Sequence, residues 1–378
     1  MIKSNQNMIE IDGSYFEGGG QILRTACALS AITKKPCHIF NIRKGRGKPG
    51  LMTQHLLGIQ ALTKLCRGRL EGDFLGSQDI KFWPGPEGMP SASYGVKEIK
   101  PKDLHIKIET AGSITLVLQT LIPACLLAPY RTCSGAGFAP APIKIIFDGG
   151  ATDTFFSPTI DHFRFVFLKI LEKMLCPIPN GSGGEKFKVN ILKRGYYPEG
   201  GAKVEVRISP SKLKPIHLTE RGSLKKIILI SGASEFLRGK KVSERQLMGV
   251  REVLGKLKLP IEERVEYYQT QCPGSQICLV AEFENTVIGV DNLGKLGKRA
   301  EDVGKEAALE LLREQKSESC LDRHLADQIL PYMALSKDKS QVTVSEITNH
   351  CKTNIWVIEK FLNGKFEIKR NLIAWFPS

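Results

Sequence analysis

The stretch Ile9-Glu-Ile-Asp-Gly-Ser-Tyr-Phe-Glu-Gly-Gly-Gly-Gln-Ile-Leu-Arg24 decides the fold of the chain. Its first four residues alternate apolar and polar side chains, which predicts a short strand that ends before Gly13. After Gly18, Gly19 and Gly20, the residues up to position 31 favour a helix. Glycines at a helix start leave backbone N–H groups open to an anion, which the helix dipole also favours. The stretch therefore predicts either a phosphate-binding corner or, with equal weight, a plain strand–turn–helix corner.

The carboxylate of Glu17 is unusual at the mouth of an anion site. A carboxylate beside a phosphate usually means that a divalent cation lies between them. The alternative is that Glu17 is only an acidic residue that complements the helix dipole.

Length and composition set wide limits on the function. The chain has 378 residues, of which 42% are hydrophobic and 25% charged, as in globular proteins with two domains or one large domain with an insertion. No stretch approaches the roughly 18 apolar residues that span a bilayer, and the N-terminus lacks the apolar core of a signal peptide. Ten cysteines without a C-x-x-C pair favour free thiols in a reducing compartment. We therefore expect a cytoplasmic protein without a membrane partner.

A net charge of +15 favours a polyanionic partner, namely nucleic acid, nucleotides or a membrane surface. Much of this excess can equally be a solvated lysine face, so the charge is a weak indication by itself.

Two consecutive units share the element order βαβαββ. The first is predicted as strand Ile9–Asp12, helix Gly20–Ala31, strand Cys37–Ile42, helix Leu51–Leu65 and strands Arg69–Phe74 and Asp79–Phe82. The second is predicted as strand Leu104–Glu109, a glycine turn at Thr110–Ser113, helix Ile114–Leu127, strand Ile143–Phe147, helix Asp161–Leu175 and strands Phe187–Leu192 and Ala202–Ile208. The shared order indicates an internal repeat.

A third unit is interrupted. Its final part is predicted as helix His324–Ala334, strand Gln341–Val344, helix Thr353–Leu362 and strands Lys365–Lys369 and Leu372–Phe376. The nearest candidate for its first strand is Pro215–Leu218, far upstream. The residues between them carry their own pattern, predicted as strand Lys226–Ser231, helix Ser243–Leu257, strands Arg264–Gln269 and Gln276–Glu284 and helix Ala300–Arg313. We predict an α/β fold of the α+β type. Three βαβαββ repeats form a large domain (1–219 and 320–378), and a smaller α/β domain (220–319) is inserted in the third.

A basic loop follows the second predicted strand. Arg43, Lys44, Arg46 and Lys48 alternate with glycines between Asn41 and Leu51. Guanidinium groups bind phosphate with two hydrogen bonds, and lysine adds a point charge. The loop therefore favours a polyphosphate or RNA-end site over an ordinary exposed basic turn.

Taken together, these motifs resemble those of the RNA 3′-terminal phosphate cyclases over nearly the whole chain outside the insert. The residues that carry the resemblance are Asp12-Gly13, Glu17 to Arg24, Ile42 to Leu51 with Gln54-His55, Gly112-Ser113 with Leu118-Gln119-Thr120, Gly149-Gly150 with Ser157-Pro158 and Asp161, Arg194-Gly195 with Pro198 and Gly200-Gly201, His324 to Gln328, and His350 to Asn354. Each motif is weak alone, but their order along the chain is specific.

The resemblance implies an ATP-dependent enzyme in which a histidine becomes adenylylated. The matching residue is His350, predicted to lie in the turn before helix Thr353–Leu362. A neutral imidazole can attack the α-phosphorus of ATP and form a phosphoramidate. AMP would then pass to an RNA 3′-phosphate, and the adjacent 2′-hydroxyl would expel it to leave a 2′,3′-cyclic phosphate. From the residues alone, an ordinary surface or capping histidine is the commoner interpretation of His350.

The resemblance also implies the other site residues. Glu17 would hold Mg²⁺ or Mn²⁺ on ATP, and Pro158 and His324 would sandwich the adenine, although other members have tyrosine at the position of His324. The nucleotide-binding set is Gln54, Gln119, Pro158, His324, Asp327 and Gln328, and the set facing phosphate or the RNA end is Arg24, Arg43, Arg46 and Lys48. The implied partner is an RNA with a 3′-phosphate end.

Two other functions stay open. One is a cyclase-like protein without catalysis that binds RNA in ribosomal RNA processing; such relatives lack the nucleophilic histidine. The other is an enolpyruvyl-type transferase, which predicts neither the basic loop nor His350. A homodimer is open too, since the sequence does not determine the oligomeric state.

Overall fold

The structure, a computed structural model, describes residues 8–85, 103–127, 142–176, 185–255 and 260–378. The first repeat consists of β1 (Ile9–Asp12), α1 (Gln21–Thr33), β2 (Cys37–Phe40), α2 (Thr53–Cys66), β3 (Arg69–Glu71) and β4 (Ile80–Trp83). Strands β1 and β2 are parallel, and the sheet order is β1-β2-β4-β3. Strand β2 ends before the predicted Ile42 because Asn41 turns the backbone with φ of 52°.

The second repeat has the same topology. It consists of β5 (Leu104–Ser113), α3 (Ile114–Leu126), β6 (Ile143–Ala151), α4 (Ile160–His162), a π-helical segment (Phe163–Phe167), α5 (Leu168–Lys173), β7 (Phe187–Lys193) and β8 (Lys203–Ile208). The predicted glycine turn at Thr110–Ser113 is wrong, because β5 continues to Ser113 and its pairing with β6 shifts register after Ile108. The single helix predicted at Asp161–Leu175 is also wrong in detail, because the π-helical segment interrupts it.

The insert forms a separate sheet with two helices. After β9 (His217–Leu218) the chain runs through β10 (Leu224–Ser234), a 3₁₀ segment (Glu235–Lys240), α6 (Val242–Leu254), β11 (Ile261–Tyr268), β12 (Ser275–Phe283), β13 (Val287–Leu293) and α7 (Ala300–Lys316). The sheet order is β11-β10-β12-β13, and an apolar cluster of its own lies between the sheet and the helices. Strand β13 is absent from the sequence-based prediction.

The third repeat is completed after the insert by α8 (Arg323–Leu335), β14 (Ser340–Thr343), α9 (Asn349–Phe361), β15 (Gly364–Lys369) and β16 (Leu372–Pro377). Strand β9 pairs in parallel with β14, so the upstream candidate is the missing first strand. The order β9-β14-β16-β15 repeats that of the other two sheets. The fold class is therefore confirmed, whereas the domain boundaries at 219/220 and 319/320 stay a prediction.

The helices of the three repeats pack in a ring around a shared apolar core. Helix α9 of the third repeat lies on α1, α2 of the first lies on α3, and the π-helical segment of the second contacts α8. This arrangement brings the start of α9 to the glycine-rich corner before α1. None of the helices in the described ranges is long and apolar enough to cross a membrane.

Candidate active site

His350 lies in the first turn of α9. The hydroxyl of Thr348 accepts a hydrogen bond from the backbone N–H of Cys351 at 3.2 Å and caps the helix. The helix therefore begins at Asn349, and the prediction that His350 lies in a turn before it is wrong. The side chain of His350 is 41% exposed, so a ligand can reach its ring.

Carboxylates face both nitrogens of this ring. Glu17 Oε2 lies 2.8 Å from His350 Nε2, and Asp327 Oδ2 lies 3.9 Å from Nδ1. Burial raises the pKa of the Asp327 carboxyl to about 6, although His350 and Arg24 favour its ionised form. Asp327 is thus the candidate orienting partner of His350, and its charge changes near neutral pH.

Two arginines of the predicted phosphate set lie beside these carboxylates. Arg46 is 3.5 Å from Glu17 Oε2. Arg24, on α1, lines one cavity together with Asp327. Burial lowers the pKa of Arg24 to about 10, so this guanidinium stays charged at neutral pH. Positive charge is therefore available where a phosphate would meet the imidazole.

The Arg43 side chain makes hydrogen bonds within its own loop. Its Nη1 donates to the carbonyl oxygens of Lys48 at 2.8 Å and Gly50 at 3.0 Å. The guanidinium therefore braces the basic loop from within. Within the described part of the chain, no hydrogen bond or ion pair joins the side chains of Lys48 or Gln54 to the cluster around His350.

A cavity of about 40 Å³ lies behind His350 between α1, α3, α8 and α9. Its polar lining includes Gln21, Arg24, Gln119, Asp327, Gln328 and Asn354. Gln119 donates to the side-chain oxygen of Gln328 at 2.7 Å, so two predicted nucleotide-site residues are in contact. The cavity itself is too small for a nucleotide, which would have to bind at its mouth.

Two polar residues of this lining were not singled out from the sequence. The Nε2 of Gln21 is buried and has no partner among the described residues, as expected for a donor that serves a ligand. Asn354 donates to the backbone carbonyl of Asp327 at 2.9 Å and so ties α9 to α8. Two sequence features could have pointed to these residues. Gln21 directly follows the glycine triplet, and Asn354 lies one helical turn after His350.

His324 lines a second cleft, of about 210 Å³, between α8 and the insert. The backbone N–H of Thr159 donates to the Asp291 carboxylate on the wall of this cleft at 2.6 Å, which places Pro158 beside it. Burial lowers the pKa of His324, so its ring is neutral at pH 7. The His324 ring and Pro158 thus lie near the same cleft.

His55 supports the glycine-rich corner from below. Its Nδ1 accepts the backbone N–H of Met52 at 3.2 Å. A Cβ on Gly20 would lie 2.2 Å from His55 Nε2, so only glycine fits there. Burial, with the charges of Arg24 and Arg43, lowers the pKa of His55 to about 3.

The buried neutral His55 should make the protein sensitive to acid. Below pH 6.5 the unfolded chain binds a proton on His55, whereas the folded chain does not. The contribution of the neutral imidazole to the free energy of unfolding is therefore complete above pH 6.5 and is lost as the pH falls towards 3. We expect the wild type to lose about 2 kcal/mol relative to His55→Asn between pH 7.5 and 5. Urea unfolding at both pH values measures this difference. Equal pH dependence of the two proteins would contradict it.

Comparison with known proteins places the chain in a family. The sequence model of the family described as RNA 3′-terminal phosphate cyclase matches residues 15–368. The RNA 3′-terminal phosphate cyclase of Pyrococcus abyssi is 42% identical over 362 residues, which cover 96% of this chain and 95% of that protein. That of Thermococcus kodakarensis is 41% identical over 363 residues, covering 96% and 94%.

The chain is therefore an enzyme of the ligase type. More specifically, it belongs to the RNA 3′-terminal phosphate cyclase family, as the sequence motifs predicted. Membership excludes the enolpyruvyl transferase alternative.

Proposed function

We propose that this enzyme uses ATP to convert an RNA 3′-terminal phosphate to a 2′,3′-cyclic phosphate, through adenylylated His350. The observation that supports the proposal most is the position of this imidazole. It is accessible at a helix start, and carboxylates face both of its nitrogens. Arg46 lies near one of these carboxylates, Glu17, and Arg24 lines a cavity with the other, Asp327.

In the first step, Nε2 of His350 attacks the α-phosphorus of ATP and pyrophosphate leaves. The lone pair on Nε2 requires the ring proton on Nδ1, where the ionised carboxylate of Asp327 would stabilise it. The contact of Nε2 with the Glu17 carboxylate requires the other tautomer, in which Nε2 carries the proton. Glu17 must therefore leave Nε2 and bind another partner before Nε2 can attack. Arg24 and Arg46 would offset the negative charge that develops on the phosphoryl oxygens.

In the next two steps the adenylyl group moves and leaves. An oxygen of the RNA 3′-phosphate attacks the α-phosphorus and breaks its bond to Nε2, which gives RNA(3′)pp(5′)A. The 2′-hydroxyl of the same ribose then attacks the 3′-phosphorus, loses its proton and expels AMP. Because nucleophile and electrophile are on one ribose, positioning supplies much of the rate. The buried donor of Gln21 is available to hold the terminal phosphate.

For the nucleotide we propose two contact regions. The adenine would lie in the cleft between Pro158 and His324, supported by their common position beside Asp291. Asp327, Gln328 and Gln119 would contact the ribose and phosphates at the mouth of the small cavity. Gln54, at the start of α2, would contact the nucleotide as well.

The residues present suit a divalent cation bound together with ATP. Glu17 offers a carboxylate that is 36% exposed, and Mg²⁺ commonly takes one or two carboxylates and completes its shell with water and phosphate oxygens. Held by Glu17, Mg²⁺ or Mn²⁺ would neutralise phosphate charge and orient the triphosphate. The remaining chemistry belongs to His350, Asp327 and the arginines.

The Glu17→Gln variant tests this assignment. We expect it to fold normally and to need about tenfold more Mg²⁺ or Mn²⁺ for half-maximal adenylylation, because the neutral amide binds a hard cation less well. Titration of each metal in a self-adenylylation assay measures the shift. Glu10→Gln, which removes another exposed carboxylate, from β1 and without contact to His350, is the control. An unchanged metal requirement would leave Glu17 only as a partner of His350.

The function itself is tested with an RNA that carries a ³²P-labelled 3′-phosphate. Incubation with enzyme, ATP and Mg²⁺ should make the label resistant to phosphatase, and hydrolysis of the product should release a nucleoside cyclic phosphate. Persistent sensitivity to phosphatase, with RNA binding intact, would favour the alternative of a non-catalytic RNA-binding factor.

A further inference from the structure

Four exposed aromatic rings lie outside the site described above. Phe155 is 40% exposed, Phe156 103%, Tyr197 57% and Phe236 64%. Single exposed apolar side chains are ordinary on a protein surface, whereas neighbouring exposed rings indicate a binding surface. We name these four residues the ring track.

Contacts link the parts of the second repeat and of the insert that carry the ring track. The rings of Phe155 and Tyr197 meet edge to face with centroids 5.9 Å apart. The turn that carries Tyr197 packs on the insert, because a Cβ on Gly274 would lie 2.3 Å from the neighbouring Tyr196 ring. The carbonyl of Gly274 accepts the backbone N–H of Ser234, two residues before Phe236. The track therefore leads from the second repeat onto the insert.

The backbone of Phe156 adopts an energetically unfavourable conformation. Its φ of 64° is in the left-handed region, which residues other than glycine rarely adopt. No burial compensates this cost, since the side chain is fully exposed. A strained, exposed aromatic residue next to a candidate site is suited to contact a ligand.

The ring track begins beside the candidate nucleotide cleft. Pro158 is two residues from Phe156, and its carbonyl accepts the hydroxyl of Thr115 on α3 at 2.8 Å. One turn further along α3, Gln119 reaches the cavity behind His350 through Gln328. An RNA whose 3′ end lies at His350 would therefore pass near Phe156 where it leaves the site.

Cationic side chains lie close in sequence to Phe236, at the end of the ring track on the insert. Arg238, Lys240 and Lys241 are exposed in the segment that carries Phe236. Arg238 lies over the Tyr267 ring at 4.3 Å and is paired with Glu235, so the two lysines supply most of the free charge. Stacking rings followed by lysines, on a chain of net charge +15, match single-stranded RNA better than an apolar protein segment.

We propose that the single-stranded RNA just upstream of the reacting 3′ end binds along the ring track, with its bases stacked on Phe156, Tyr197 and Phe236. The proposal rests on the proposed function only in taking the RNA end to lie at His350. It gives the insert a role in holding the substrate, since Phe236 belongs to the insert.

The test compares RNA binding for two lengths of substrate. The probes are fluorescein-labelled 3′-phosphate RNAs, one a dinucleotide and one of about twelve nucleotides, measured by anisotropy. Phe156→Leu, Tyr197→Leu and Phe236→Leu should each raise the Kd of the long RNA about tenfold and leave that of the dinucleotide unchanged, because each loses one stacking contact. Phe156→Trp should bind as the wild type does, and Leu309→Ala is the control for an exposed apolar side chain of the insert.

Two results would overturn the proposal. One is unchanged binding of the long RNA by all three leucine variants. The other is an equal loss for both RNA lengths, which would place the rings at the terminal nucleotide. Self-adenylylation with ATP alone needs no RNA, so we expect all these variants to retain it. If the wild type did not self-adenylylate, the proposed function would be contradicted. The anisotropy measurements would still decide whether RNA binds along the ring track.

Discussion

The His350→Ala variant is expected to retain no label from [α-³²P]ATP, whereas the wild type should retain label that is labile in acid and stable in alkali. A phosphoramidate has this stability pattern, and only a nitrogen nucleophile produces it. Because the variant lacks the attacking atom, adenylylation and cyclisation should both fall by at least about 10³-fold. The measurement is retention of label after denaturing electrophoresis, followed by treatment of the labelled band with acid or alkali.

Two controls make this result specific. His217→Ala removes a histidine that is exposed on β9 and should label as the wild type does. Since the His350 side chain is 41% exposed, its loss should leave the unfolding midpoint nearly unchanged. Label on the His350→Ala protein would mean that another histidine is the nucleophile, and His324 would be tested next. Absence of label from the wild type as well would favour the non-catalytic RNA-binding alternative.

The repeats could be predicted because each carries its own periodicity. Strand β9 has only two residues, yet the repeat order pointed to it, and it pairs where a first strand should. Strand β13 was missed because Gly289 and the polar pair Asp291-Asn292 interrupt its apolar residues. Its formation depends on pairing with β12, which is a tertiary effect that strand propensity does not report.

The sequence singled out candidate site residues, but it could not supply the contacts among them. Thr348, Asn349 and His350 are weak helix formers, which explains why α9 was expected to start later. The cap by Thr348 and the packing of α9 on α1 outweigh that weakness. The pairing of Glu17 with His350 joins the first repeat to the third, so it follows only from the ring of repeats and could not be read from either motif.

A buried ion cluster outside the site should control stability. Arg194 is 3% exposed and donates to Asp161 at 2.6 Å and to Asp153 at 3.0 Å. Burial opposes its charge, but the two carboxylates raise the pKa of Arg194. Its guanidinium also lies over the ring of Tyr268 from the insert, at 4.5 Å. The cluster therefore joins the turn after β7 to the start of α4 and to the insert.

The Arg194→Met variant should be less stable by roughly 3–5 kcal/mol, measured by urea unfolding at pH 7.5. Methionine fills much of the same space, but it leaves two carboxylates buried without a cation. Burial already raises the pKa of Asp153 to about 6 with the arginine present, so without it the ionised form becomes still less favourable. Lowering the pH towards 5 should therefore reduce the defect, because protonation removes the uncompensated charge.

Lys107→Ala is the matched control for removing one cation from an ion pair. Lys107 and Glu109 are 3.0 Å apart with side chains 73% and 76% exposed, and water screens such a pair, so its loss should cost far less stability than Arg194→Met. Adding Asp153→Asn and Asp161→Asn to Arg194→Met should recover part of the stability, since no buried charge then remains. If Arg194→Met lowered the free energy of unfolding no more than Lys107→Ala does, the cluster would have to be far more hydrated than its burial indicates. The cluster would then not fix the position of the insert.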